Sequence, residues 1–108
     1  MVRTVLFVCT GNTCRSPLAE GLFREMVKRE GLAIVIKSAG VSAMNGASIS
    51  THSQTVLREK GAKTNGGCSQ ILDRKLADEA DLILTMTVSH KRQVLSRFPD
   101  AAGRVYTL

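Results

Sequence analysis

The chain has 108 residues, of which 44% are hydrophobic and 22% charged, as in an ordinary single globular domain and unlike a disordered chain. Lys and Arg number 15 against 9 Asp and Glu, a net charge of +6, but aromatic residues make up only 4%, too few for a base-stacking surface. The basic residues cluster only in doublets, so we expect no nucleic-acid partner. Because the sequence shows neither an apolar run of ~18–20 residues nor a cleavable leader, we expect a cytoplasmic protein without a membrane partner.

Apolar, β-branched runs alternate with helical patterns along the whole sequence. Strands are predicted over residues 2–8, 32–37, 82–86 and 104–108, and helices over residues 17–30, 50–60, 73–80 and 87–98. Asp73 and Thr87 are predicted N-caps, and Glu20 and Arg24 are expected on the solvent face of the first helix. This alternation favours an α/β fold of three layers, with one parallel sheet between helices on both faces.

The sequence has three cysteines, Cys9, Cys14 and Cys68, and two well-separated histidines. An odd count without a secretory leader argues against a disulfide scaffold. No Cys-x-x-Cys spacing suggests structural zinc, so we expect neither a metal nor another cofactor. His52 and His90 are expected to be solvated helix residues, since no motif brings either to a cysteine.

The segment from Cys9 to Ser16, Cys-Thr-Gly-Asn-Thr-Cys-Arg-Ser, lies between the first strand and the first helix. Parallel sheets bind ligands at the carboxyl ends of their strands, and a helix N-terminus binds anions through its free N–H groups. Five residues separate Cys9 from Arg15, so the backbone can curl around a tetrahedral oxyanion with the amides of residues 10–15 pointing inward. Arg15 can then close the ring with two parallel donors to phosphate oxygens.

These donors favour the thiolate form of Cys9, which can attack phosphorus in line. Ser16 can stabilise the sulfur when it leaves, Gly11 permits unusual backbone conformations, and Asn12 can brace the loop. The segment therefore predicts a nucleophile inside a phosphate cradle. The predicted phosphate-binding residues are Thr10, Gly11, Asn12, Thr13, Cys14, Arg15 and Ser16.

This loop resembles that of the low-molecular-weight protein tyrosine phosphatases, and the resemblance covers essentially all 108 residues. It includes Ser-Ala-Gly at residues 38–40, Ala-Asp-Leu-Ile-Leu at 80–84 and Met-Thr at 86–87. The resemblance implies a flavodoxin-like sheet of order 2-1-3-4 and a phosphatase that acts on phosphorylated proteins through a phospho-cysteine. Cys9 would be the nucleophile and Arg15 the ligand of the phosphate and transition state, with Asn12 and Ser16 supporting the loop.

The sequence departs from this family at the general acid, which is an Asp in an Asp-Pro loop beyond the last predicted strand. Residues 1–108 contain no Asp-Pro, and Asp100 precedes the final strand, at the opposite end of the sheet from the loop. We therefore expect a single phosphatase domain without its Asp-Pro loop and last helix. Losing general-acid assistance costs ~10²–10⁴ in rate.

Thr13 is the predicted specificity residue. Tyrosine-directed members tend to carry an aliphatic residue there, whereas Cys-Thr-Gly-Asn-Thr-Cys-Arg-Ser resembles bacterial protein-arginine phosphatases. A threonine leaves room and a hydroxyl acceptor for a planar guanidinium, and it can orient the water that hydrolyses the phospho-cysteine. Phosphoarginine on proteins is therefore the first expected substrate and phosphotyrosine the second.

Other interpretations stay open. A phosphate cradle without an acid could serve as a non-catalytic module that binds phosphorylated proteins. Arsenate reductase shares the loop but needs two more cysteines near the third strand, where none occurs, and a Cys9–His protease pair has no support in the sequence. Cys14 could pack under the loop or form a reversible disulfide with oxidised Cys9.

Overall fold

The computed structural model describes residues 3–11, 15–42, 46, 50–60 and 70–108, without the side chains of residues 15–17, 52 and 53. These ranges contain four strands and four α-helices, with two consecutive helices between the second and third strands and a 3₁₀ helix before the last strand. In chain order the elements are β1 (Thr4–Cys9), α1 (Arg15–Arg29), β2 (Val35–Gly40), α2 (Thr51–Glu59), α3 (Arg74–Glu79), β3 (Leu82–Thr85), α4 (Val88–Arg97), the 3₁₀ helix (Pro99–Arg104) and β4 (Val105–Thr107). None of the helices in these described ranges is long and apolar enough to cross a membrane.

The strands form one parallel sheet in the order β2-β1-β3-β4, which confirms the predicted 2-1-3-4 arrangement. β1 is central: at its end Cys9 pairs with Gly40 of β2, and Val8 pairs with Thr85 of β3. The predicted second strand, residues 32–37, was placed too early. The apolar run suggested a strand from Leu32, but pairing with β1 begins at Val35, opposite Thr4, and carries β2 on to Gly40.

Two apolar clusters cover the two faces of the sheet, as the three-layer prediction requires. Val5 and Phe7 of β1 pack against α1, where the Phe7 and Phe23 rings meet edge to face at 5.7 Å. Leu6 and Val8 point to the other face and pack against α3 and α4. Side chains alternate along a strand, so the near-continuous apolar run of β1 follows from burial on both faces.

Both predicted N-caps are confirmed. The carboxylate of Asp73 accepts a hydrogen bond from the N–H of Leu76 at 2.9 Å, and the hydroxyl of Thr87 accepts one from the N–H of His90 at 3.2 Å. The 3₁₀ helix after α4 was not predicted. Pro99 begins it, because proline disfavours continuing α4 but suits the first turn of a new helix.

The carboxylate of Asp81 ties the start of β1 to the start of β3. Its Oδ2 accepts hydrogen bonds from the N–H groups of Arg3 and Thr4 at 2.9 and 3.0 Å, and these donors hold the pKa of Asp81 below its usual range. A carboxyl whose pKa is lowered by folding stabilises the folded state above its unfolded pKa, and that contribution is lost as the pH falls through the folded pKa.

We therefore expect Asp81→Ala to lower the midpoint of urea unfolding at pH 7. The difference between the midpoints of parent and variant should become smaller below about pH 4. Urea unfolding of both proteins across this range measures this difference. A difference in urea midpoint that stayed constant down to the most acidic pH would contradict a role for the ionised carboxylate.

Candidate active site

Cys9 ends the central strand at the point where the strand order reverses, between β2 and β3. It is buried, with 3% of its surface exposed. The chain then passes through Thr10 and Gly11, and α1 begins at Arg15. A cysteine at a strand's carboxyl end, close in sequence to a helix N-terminus, has the position in which open α/β sheets bind anionic ligands.

Backbone hydrogen bonds hold this end of β1 on both sides. On the β2 side, the N–H groups of Val41 and Ser42 donate to the carbonyls of Cys9 and Thr10 at 2.9 and 3.0 Å. On the β3 side, the N–H of Met86 donates to the carbonyl of Val8 at 2.9 Å. The backbone that leads into the predicted cradle is therefore fixed by two neighbouring segments.

His90 belongs to this region, and its prediction as a solvated helix residue was wrong. The side chain is 3% exposed, and its Nε2 lies 2.8 Å from Oγ1 of Thr10, the residue after Cys9. Helix α4 begins just beyond β3, so its first turn stands at the same edge of the sheet as Cys9. The predicted cap at Thr87 could have revealed this position in the sequence, because it places His90 in the first turn of a helix at the ligand-binding edge.

The side chains of Glu20 and Arg24 connect α1 to β2 through hydrogen bonds. Their predicted position on the solvent face was therefore wrong in part. The Glu20 carboxylate accepts from the hydroxyl of buried Ser38 and is paired with Arg24. Arg24 also donates to the carbonyl of Ile36 at 2.9 Å. Both side chains remain partly exposed, so a helical wheel alone assigned them to the polar face.

The remaining predicted loop residues are described only in part. Asn12, Thr13 and Cys14 lie outside the described residues. Arg15 and Ser16 form the first turn of α1, and their side chains likewise lie outside what is described. The same holds for Cys68 and the His52 side chain.

Asp100 lies before β4, on the side of the sheet where the strands begin. Oxygens of its carboxylate are 2.9 and 3.0 Å from Arg74, and this guanidinium holds the pKa of Asp100 below its usual range. A carboxyl kept ionised in this way is a poor proton donor, which agrees with not assigning Asp100 as the general acid. Among the described residues, no three His, Cys, Asp or Glu side chains converge where they could hold a metal ion.

The fold and this edge of the sheet agree with a family-level match. The model of the low molecular weight phosphotyrosine protein phosphatases matches residues 4–108, and the chain belongs to this family. It is therefore a protein phosphatase by family, and phosphorylated proteins are its class of substrate.

Individual relatives carry more specific names. The Protein-arginine-phosphatase of Bacillus subtilis is 43% identical over 104 residues, which are 96% of this chain and 69% of the relative. The Low molecular weight protein-tyrosine-phosphatase PtpB of Staphylococcus haemolyticus is 40% identical, over 96% of this chain and 70% of its own. A solved structure of a YwlE arginine phosphatase variant with a phosphorylated active-site serine has a TM-score of 0.92 and 40% identity, covering 96% of this chain and 68% of that one.

Proposed function

We propose that this chain hydrolyses phosphoarginine on proteins in two steps, with Cys9 as the nucleophile. The observation that carries the proposal is the position of Cys9, buried at the end of the central strand and six residues before Arg15 at the start of α1. Its thiolate attacks phosphorus and displaces the guanidine of the substrate, giving a phospho-cysteine. Water then attacks this intermediate, releases inorganic phosphate and restores the thiolate.

Two relatives support this mechanism and substrate. One is named a protein-arginine phosphatase. In the other, an active-site serine carries a phosphoryl group, which is the kind of product an attacking side chain leaves behind. The backbone amides of residues 10–15 and the Arg15 guanidinium would bind the phosphoryl oxygens. A reducing compartment such as the cytoplasm suits a nucleophile that must stay a reduced thiol.

The experiment is a comparison of one phosphorylated protein carrying phosphoarginine with a matched one carrying phosphotyrosine. We expect a higher kcat/KM for the phosphoarginine protein. The relative named a protein-tyrosine phosphatase makes phosphotyrosine the second candidate, and the reverse preference would favour it. Saturable binding of both proteins without phosphate release would instead favour a non-catalytic module.

Thr13 is proposed to set this preference, because a threonine hydroxyl can accept from a guanidinium whereas an aliphatic side chain packs on a phenyl ring. We expect Thr13→Ile to lower kcat/KM for phosphoarginine and to raise kcat/KM for phosphotyrosine relative to that for phosphoarginine. Thr13→Ser, which keeps the hydroxyl, is the matched control. A ratio of the two kcat/KM values unchanged within about threefold would remove Thr13 from the specificity argument.

Cys14 is proposed to protect Cys9 from peroxide. Peroxide would oxidise the Cys9 thiolate to a sulfenic acid, and the Cys14 thiol would then form a disulfide with it and release water. We expect the parent to regain activity after peroxide followed by thiol, and Cys14→Ser to regain much less. Equal recovery, or a Cys9–Cys68 disulfide found by mass spectrometry, would rule out a resolving role for Cys14.

A further inference from the structure

A side-chain contact links the residue after Cys9 to the helix that follows β3. Thr10 Oγ1 and His90 Nε2 are 2.8 Å apart, although 80 positions separate the two residues in the sequence. The main chain of His90 is held by the Thr87 cap, and its ring is buried to 3% exposure. The imidazole is therefore a fixed partner for a hydroxyl that lies at the surface.

Thr10 is held from two directions at once. The N–H of Ser42, beyond β2, donates to its carbonyl at 3.0 Å, while His90, beyond β3, contacts its hydroxyl. Since β1 lies between these strands, the two contacts restrain Thr10 from opposite sides. The next residue is Gly11, whose backbone is intrinsically the most permissive, so the restraint on Thr10 sets how the chain enters the loop.

We propose that His90 is a positioning residue for phosphate binding, acting through the Thr10 hydroxyl to orient the first part of the phosphate-binding loop. This inference rests on the proposed function, because it assumes that the loop after Cys9 receives the phosphoryl group. His90 touches neither substrate nor reacting atoms in this role. If His90 served only to pack α4 against the sheet, its ring would not need the hydroxyl of the exposed Thr10.

A double-mutant cycle tests the link, with inorganic phosphate as the probe and calorimetry as the readout. Thr10→Val and His90→Leu each remove one partner while keeping similar bulk. We expect each single variant to bind phosphate with about tenfold lower affinity than the parent. The double variant should bind phosphate with no lower affinity than the single variant that loses more. Thr10→Ser, which keeps the hydroxyl, and His90→Gln, whose amide can replace Nε2, should stay within about threefold of the parent.

Val94→Ala is the control for stability. Val94 lies one turn after His90 on α4 and is fully buried, so its truncation should lower Tm without changing phosphate affinity. The inference is overturned if the two single losses multiply in the double variant, or if Thr10→Val binds phosphate like the parent. It is also overturned if Val94→Ala weakens phosphate binding as much as His90→Leu does.

Turnover of an activated aryl phosphate, measured on the same variants, separates this inference from the proposed function. If the parent hydrolyses the ester and the two single-variant losses in phosphate-binding free energy add in the double variant, only the inference about His90 is overturned. A parent that neither binds phosphate nor hydrolyses the ester overturns the proposed function and this inference with it. A loss in the single variants that appears in kcat as well as in phosphate affinity, with Tm unchanged for Thr10→Val, supports positioning.

Discussion

Replacing Cys9 by serine is expected to lower turnover of an aryl phosphate by more than about 10⁴-fold, the order seen when a catalytic nucleophile is removed. A serine hydroxyl is scarcely ionised at neutral pH, whereas the proposed reaction needs an anionic nucleophile. Phosphate affinity should stay within about threefold of the parent, because most of the proposed cradle is backbone. Release of the phenol measures turnover, and calorimetry with inorganic phosphate measures binding.

Cys68→Ser is the matched control for this experiment, since it removes a thiol to which no role is assigned. It should keep the parent rate. Mass spectrometry of Cys9→Ser after incubation with the ester adds a second readout, because any phosphoryl group transferred to the serine would be hydrolysed slowly and accumulate. A Cys9→Ser variant that turned over at near the parent rate would overturn the proposed mechanism.

Arg15→Lys is expected to lower kcat by about 10²–10³-fold, as the loss of a preorganised donor to a transition-state oxyanion does. A lysine keeps the charge, but its ammonium cannot make two parallel hydrogen bonds to neighbouring phosphate oxygens. The measurement is kcat on the aryl phosphate. Arg29→Lys, at the exposed other end of α1, is the control and should keep the parent kcat; equal activity of Arg15→Lys would remove Arg15 from the transition state.

Local signals predicted much of this fold. The caps at Asp73 and Thr87 were readable because each involves a residue only three positions away. The strand order followed from a family resemblance. The limits of β2 could not be predicted from the sequence. A strand that begins at Leu32 fits the apolar pattern as well as one that begins at Val35, and only pairing with β1 selects Val35–Gly40.

The site was predicted in the same uneven way. The placement of Cys9 at a strand end followed from a short contiguous motif. The same motif left Arg15 in the turn before a helix predicted from residue 17, whereas α1 already begins at Arg15. The contact of His90 with Thr10 could not be predicted from periodicity, because the two residues are 80 positions apart in sequence and meet only in the folded sheet, where β3 pairs with β1. Glu20 was missed for a related reason: its partner Ser38 belongs to another element.

The bonds around the end of β1 also impose an order in time during biosynthesis. Cys9 is synthesised before the groups that fix its surroundings, which come from Val41, Ser42, Met86 and His90. Parallel pairing between distant strands is slow to form, since loop-closure entropy opposes it until the intervening chain is present. A chain still emerging from the ribosome therefore carries the cysteine without these contacts, and they can all form only after the first turn of α4 has been synthesised.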